Sequence, residues 1–64
     1  MIKKGTILQC IRTKDLMVPG ALKVGHLYVV QRDSNMGMSS TVTIRVGLVN
    51  LSFYLRRFKI ILQP

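Results

Sequence analysis

Turn-forming residues divide this chain so often that only short extended segments fit between them. Pro19-Gly20, Gly25, the stretch from Asp33 to Ser40 and Gly47 each interrupt runs of Ile, Val, Leu and Thr. Pro-Gly supplies the fixed φ and then the positive φ of a tight turn. Thr41 to Val46 alternates cleanly, with Val42, Ile44 and Val46 on one side and Thr41, Thr43 and Arg45 on the other. A period of two carried by β-branched residues is the pattern of a half-buried strand.

The same reading applied along the chain gives five strands. Thr6 to Arg12 places Leu8 and Cys10 on one face and Ile7, Gln9 and Ile11 on the other, so both faces call for partial cover. His26 to Arg32 alternates Tyr28 and Val30 against Leu27, Val29 and Gln31. Leu48 to Phe53 is the fourth strand and Lys59 to Leu62 the last, while Tyr54 to Phe58 has room for one helical turn. Thr13 to Gly20 and Leu22 to Gly25 read as connections, although Leu16, Met17 and Val18 are apolar enough to fold back onto the strands. Asp33 to Ser40 is rich in turn formers and is expected to be a mobile hairpin connection.

A chain of 64 residues makes a single domain spanning 1–64, and at this size only about 60% of the unfolded surface is hidden on folding. No staple is in sight. Cys10 has no second cysteine to pair with, and Cys10 with His26 makes no zinc set, so neither a disulfide nor a metal or other cofactor is expected. Stability must come from the 48% of apolar residues, a fraction that argues against disorder, with homodimerisation as one way to cover leftover apolar surface. Closing the strands into a small five-stranded barrel would remove exposed edges. The expected fold is therefore all-β, with one short helical turn before the last strand.

The opening Met1-Ile2-Lys3-Lys4-Gly5 is basic, but the apolar run after it breaks at Gln9 and Arg12, too early for a signal peptide. No stretch approaches the roughly 18 apolar residues of a membrane span. An unpaired cysteine agrees with a reducing compartment, so the expected location is the cytoplasm, with no membrane partner.

Three segments carry a resemblance. Lys4-Gly5-Thr6-Ile7-Leu8-Gln9-Cys10-Ile11, Leu22-Lys23-Val24-Gly25-His26-Leu27-Tyr28-Val29-Val30 and Tyr54-Leu55-Arg56-Arg57-Phe58-Lys59-Ile60-Ile61 together resemble a set of small phage and prophage proteins that look like SH3-like barrels. The resemblance implies that the Arg57-Phe58 pair belongs to the helical turn before the last strand, and that the protein works in the cytoplasm of a host cell. Such barrels often carry acids after the Arg-Phe pair, where this chain has Lys59.

Charge is the feature with functional content. Ten Lys and Arg face two acids, Asp15 and Asp33, for a net charge of +8, which attracts polyanions at long range. A merely solvated surface would mix both signs, and here there is little to mix. The densest group is Arg56-Arg57-Phe58-Lys59, directly after Phe53-Tyr54. Arginine clamps phosphate bidentately and an exposed aromatic stacks on an unpaired base; the alternative for Phe53, Leu55 and Phe58 is the core, and Tyr54 stands open between the two. Lys3, Lys4, Arg12 and Lys14 form a second group, with Lys3 and Lys4 as a basic arm, and Lys23, Arg32 and Arg45 a third.

The expected nucleic-acid-binding set is thus Lys3, Lys4, Arg12, Arg32, Arg45, Tyr54, Arg56, Arg57 and Lys59, with little sequence preference because no recognition helix offers base-edge readers. The alternative is a phage effector docked on an acidic host protein, anchored by Leu16, Met17, Val18, Met36 and Met38 and steered by the same cations. Catalysis is not expected. The chain offers no carboxylate pair, no Ser-His-Asp arrangement and no Gly-rich phosphate loop. Cys10 reads as a small buried hydrophobe and His26 as a residue beside a turn.

Overall fold

A computed structural model describes residues 1–16, 20–37 and 40–64. The alternating segment at its centre forms β3 (Thr41–Val46), which pairs with β4 (Val49–Tyr54) as an antiparallel hairpin in unbroken register from Thr41↔Tyr54 to Val46↔Val49. Gly47 makes the turn with φ 61°, where a side chain would be strained. The third strand has the bounds its alternation predicts. The fourth begins and ends one residue later than expected, because Leu48 belongs to the turn and Tyr54 is still paired.

The remaining strands form a second antiparallel sheet in the order β2 (Leu27–Val29), β1 (Ile7–Cys10), β5 (Phe58–Leu62). A single 3-10 turn, Leu55–Arg57, connects β4 to β5, as the short helical stretch predicts. The register between β1 and β5 slips between Ile7 and Leu8, so Ile61 is the extra residue on β5. Both β1 and β2 are shorter than their apolar runs. Beyond Cys10 the backbone turns to other partners, with the Ile11 N–H donating to the Arg57 carbonyl at 2.8 Å.

Val30 joins the two sheets. Its N–H donates to the Thr6 carbonyl at 2.9 Å and its carbonyl accepts from Gly5 at 2.8 Å, while on its other side it bridges Ile44. The Gln31 N–H then reaches the Thr43 carbonyl at 2.8 Å. Among the described residues the backbone bonds thus make two small antiparallel sheets linked at one point, not the closed five-stranded barrel expected. The gap has a physical cause: the 3-10 turn swings the chain from β4 to the far side of the core, so β5 pairs with β1 and leaves the outer edge of β4 unpaired.

The core between the sheets consists of Ile2, Leu8, Cys10, Leu22, Val30, Val42, Ile44 and Phe58. Each fully buried aliphatic side chain contributes about 1.5–3 kcal/mol. Phe58 stands edge-on to both Tyr28 and Phe53, with ring centroids 6.2 Å and 6.5 Å away, which places Phe58 in the core and packs the partly buried Phe53 against it. Leu16 and Leu55 pack against the same cluster. Ile2 and Leu22 are core residues that the sequence pattern does not mark. Ile2 is held by a two-bond bridge to Ser34, both bonds 2.8 Å, and Leu22 sits beside a backbone N–H, that of Lys23, which donates to the Tyr28 hydroxyl at 3.0 Å.

The Ile2 bridge corrects two expectations. Lys3 and Lys4 are not a free arm, since Ile2 before them is fully buried and the Lys4 N–H donates to Asp33 Oδ1 at 2.8 Å. The start of the 33–40 connection is likewise tied down at Asp33 and Ser34. Among the described residues no helix is long and apolar enough to cross a membrane.

Candidate nucleic-acid interface

The alternation that turns Val42 and Ile44 into the core sets Thr41, Thr43 and Arg45 on the opposite side of the strand, where Thr41 and Arg45 are exposed and Thr43 is buried. Register does the same for β4, setting Tyr54 opposite Thr41, Ser52 opposite Thr43 and Asn50 opposite Arg45. Two more arginines join this face. Arg32 donates through Nε to Thr43 Oγ1 at 3.0 Å, and that hydroxyl shares a 2.9 Å hydrogen bond with Ser52 Oγ. Arg56 lies with its guanidinium carbon 4.9 Å from the centroid of the Tyr54 ring, a cation–π pair.

None of these positions carries an acid. Arg45 also bonds through Nε, to the Gly47 carbonyl at 3.2 Å. Among the described contacts, the terminal nitrogens of Arg32 and Arg45 take no protein acceptor. Those paired nitrogens are the fork that grips a phosphate. Tyr54 is 45% exposed, so its ring is reachable from solvent.

The other expected residues fall elsewhere. Arg57 is a correction: it is buried, and its guanidinium donates from Nη1 to the Lys14 carbonyl at 2.7 Å and from Nη2 to the Asp15 carbonyl at 3.4 Å. It is a clamp on the loop after β1. Arg12 and Lys14 are exposed on that clamped segment, so they flank the 3-10 turn that carries Arg56. Lys3 pairs with Asp33 at 3.7 Å, next in sequence to Arg32. Lys59 faces Gln9 on the outward side of the three-stranded sheet. The two sheets enclose the core between them, so Lys59 lies on the side of the molecule away from Arg45. Arg32, Arg45, Tyr54 and Arg56 therefore form one surface, Lys3 and Lys4 border it, and Lys59 does not belong to it.

Thr41, Asn50 and Ser52 complete that surface, with Thr43 buried beneath Arg32, and none of the four was singled out from the sequence. Their signal was present, since Asn50, Ser52 and Tyr54 alternate with Leu51 and Phe53 in the way Thr41, Thr43 and Arg45 alternate with Val42 and Ile44.

Two clefts adjoin the surface. The larger, about 570 Å³, has Leu16, Leu51, Phe53 and Tyr54 among its lining residues, together with Asp15 and Arg56. The smaller, about 450 Å³, is lined by Met36, Leu55, Arg56, Phe58 and Ile60 among others. Arg56 is common to both, so Leu16 and Met36, two of the expected protein-contact residues, sit on either side of it. The remaining three, Met17, Val18 and Met38, lie outside the described residues. Compared with known proteins, the chain matches no protein family, no curated protein and no solved structure.

Proposed function

We propose that this is a non-catalytic nucleic-acid-binding protein of the phage type, built on an SH3-like barrel, whose outward β3–β4 face lies along the phosphate backbone. The observation that carries this reading is the gathering of Arg32, Arg45, Arg56 and Tyr54 on one acid-free face together with Thr41, Asn50 and Ser52. Guanidinium forks hold phosphates while hydroxyls and amides add neutral hydrogen bonds to the backbone, a combination that positions without reading sequence. The SH3-like assignment is supported by two sheets that share Val30 and by a 3-10 turn directly before β5. It agrees with the resemblance to small phage proteins, and with it goes work in the host cytoplasm.

Titration of a fluorescently labelled oligonucleotide at increasing salt tests the proposal. Two arginines on phosphate, Arg32 and Arg45, give a slope of log K against log salt of about −1.4 to −1.8, at roughly −0.7 to −0.9 per contact. A flat response, or no binding in dilute buffer, would overturn it.

A second reading, docking on an acidic host protein, is favoured by one observation: the clefts that hold Leu16 and Met36 flank a shared cation, Arg56. Apolar anchors around a charge suit a protein partner. We rank it second because the face that collects the arginines is hydroxylic, not apolar. A stoichiometric partner retained from host lysate after nuclease treatment, and lost when Leu16 and Met36 are replaced by Ser, would reverse the ranking.

A further inference from the structure

Resting on the nucleic-acid reading above, we infer that the substrate is single-stranded and that the cleft beside Tyr54 receives one unpaired base. The cleft is wrong for a phosphate. Of its two arginines, Arg57 is committed to the carbonyls of Lys14 and Asp15, and the carboxylate-bearing Asp15 is itself among the lining residues. A phosphate placed there would meet an acid and only one uncommitted guanidinium. The walls contributed by Leu16, Leu51 and Phe53 are apolar, and the volume of about 570 Å³ is within the roughly 300–1,000 Å³ usual for small-molecule pockets. A planar, uncharged heterocycle fits that chemistry, and a nucleobase is the planar heterocycle that a phosphate-binding face brings with it.

Tyr54 supplies the platform. Arg56 already covers part of the ring as a cation–π partner, so a base added to the pair completes a layered stack of base, tyrosine and guanidinium. Bases inside a duplex have both faces occupied by their neighbours, and bringing one out costs a few kcal/mol. A single strand offers the same face at little cost. From the cleft the strand runs along the hairpin face, since Asn50 and its facing partner Arg45 lie four residues along β4 from Tyr54, roughly 13 Å at strand rise. That length carries more than one nucleotide. The division of labour is therefore phosphates on Arg32 and Arg45, base on Tyr54 and Arg56.

The test compares a labelled single strand, the duplex of the same sequence and a single strand with abasic sites, by fluorescence anisotropy at fixed salt. The intact single strand should bind tightest. Tyr54→Ala should weaken it by roughly 5- to 150-fold, the worth of one stacked base, a larger loss than for the duplex or the abasic strand, with a circular dichroism spectrum like the native one reporting that the variant is folded. Tyr54→Phe keeps the ring and should keep the affinity. The chain has no Trp and two Tyr, so quenching of tyrosine emission by the single strand should be seen in the native protein and largely vanish in Tyr54→Phe. Equal affinity for single strand and duplex with no effect of Tyr54→Ala would overturn this inference and leave the backbone-binding face standing. No binding of any of the three at low salt would overturn both.

Discussion

The guanidinium of Arg57 and the carbonyl of Lys14, separated by 43 positions in sequence, meet at 2.7 Å in a half-buried setting. Through this contact, the weaker one to Asp15, and its own carbonyl, which accepts from Ile11, one residue of the 3-10 turn fixes both ends of the segment after β1. Asp15 takes a φ of 62°, a left-handed conformation that the clamp helps to hold. Arg57→Met keeps the aliphatic stem and removes the donors, stranding backbone carbonyls, and should destabilise the fold by about 2–3 kcal/mol. For so small a domain, each 1 kcal/mol lowers Tm by roughly 4–8 °C. Arg56→Ala, next door but exposed, should stay within about 0.5 kcal/mol. Equal urea midpoints for Arg57→Met and the native protein would show that the clamp contributes nothing.

Nucleic-acid binding should be asymmetric about the core. Arg32→Ala and Arg45→Ala each remove a phosphate-holding cation from the β3–β4 face and should each reduce the magnitude of the salt slope by about 0.7–0.9. Lys59→Ala removes the same charge from the other sheet and should leave the slope unchanged, apart from a small loss of long-range attraction. If the three variants behave alike, affinity follows total charge and no face is special.

Much of this was legible in the residues. The Thr41–Val46 alternation fixed the hairpin and the outward placement of Arg45, and Gly47 located its turn. What could not be read was where backbone groups of distant segments find partners. Nothing in Met1-Ile2-Lys3 marks Ile2 as core, because its burial follows from a bridge to Ser34 across the molecule. Arg56 and Arg57 are the same residue type in adjacent positions, yet the 3-10 turn sends one over Tyr54 and the other inward to loop carbonyls. A local pattern cannot separate them; a long-range contact does. Closure of the barrel failed as an expectation for a related reason, since β5 finds its partner in β1, distant in sequence, which no local pattern shows.

Asp33 should oppose binding while supporting the fold. Its Oδ1 accepts the Lys4 N–H at 2.8 Å and its Oδ2 lies 3.7 Å from Lys3 Nζ, with both side chains at least half exposed. A surface ion pair of this kind contributes little, and the bond to the backbone N–H carries most of the effect. Asp33→Ala should cost about 1 kcal/mol of stability. It also takes away one of two acids, moving the net charge from +8 to +9, and releases Lys3 beside Arg32. Oligonucleotide affinity should therefore rise as the urea midpoint falls. A loss of affinity in the folded variant would mean that Asp33 orders the interface rather than shielding it.

The outward side of the three-stranded sheet should mediate self-association. Leu27, Val29 and Leu62 are 59%, 43% and 62% exposed, and their register with Gln9 and Ile7 puts all three on one face. Lys59 is the one cation paired into it. This face carries Lys59 where the β3–β4 face carries several arginines, so an isologous contact of this face with itself is less repulsive than one between two β3–β4 faces in a molecule of charge +8. Salt supplies the discriminating sign. Screening weakens repulsion between copies and leaves apolar burial intact, so dimerisation should strengthen with salt under conditions where nucleic-acid binding weakens. Sedimentation at two protein concentrations and two salt concentrations measures this. Leu27→Lys with Leu62→Lys should hold the protein monomeric with little change in stability, because both side chains are already solvated. A native protein that stays monomeric at high concentration and high salt would show that this face is ordinary surface.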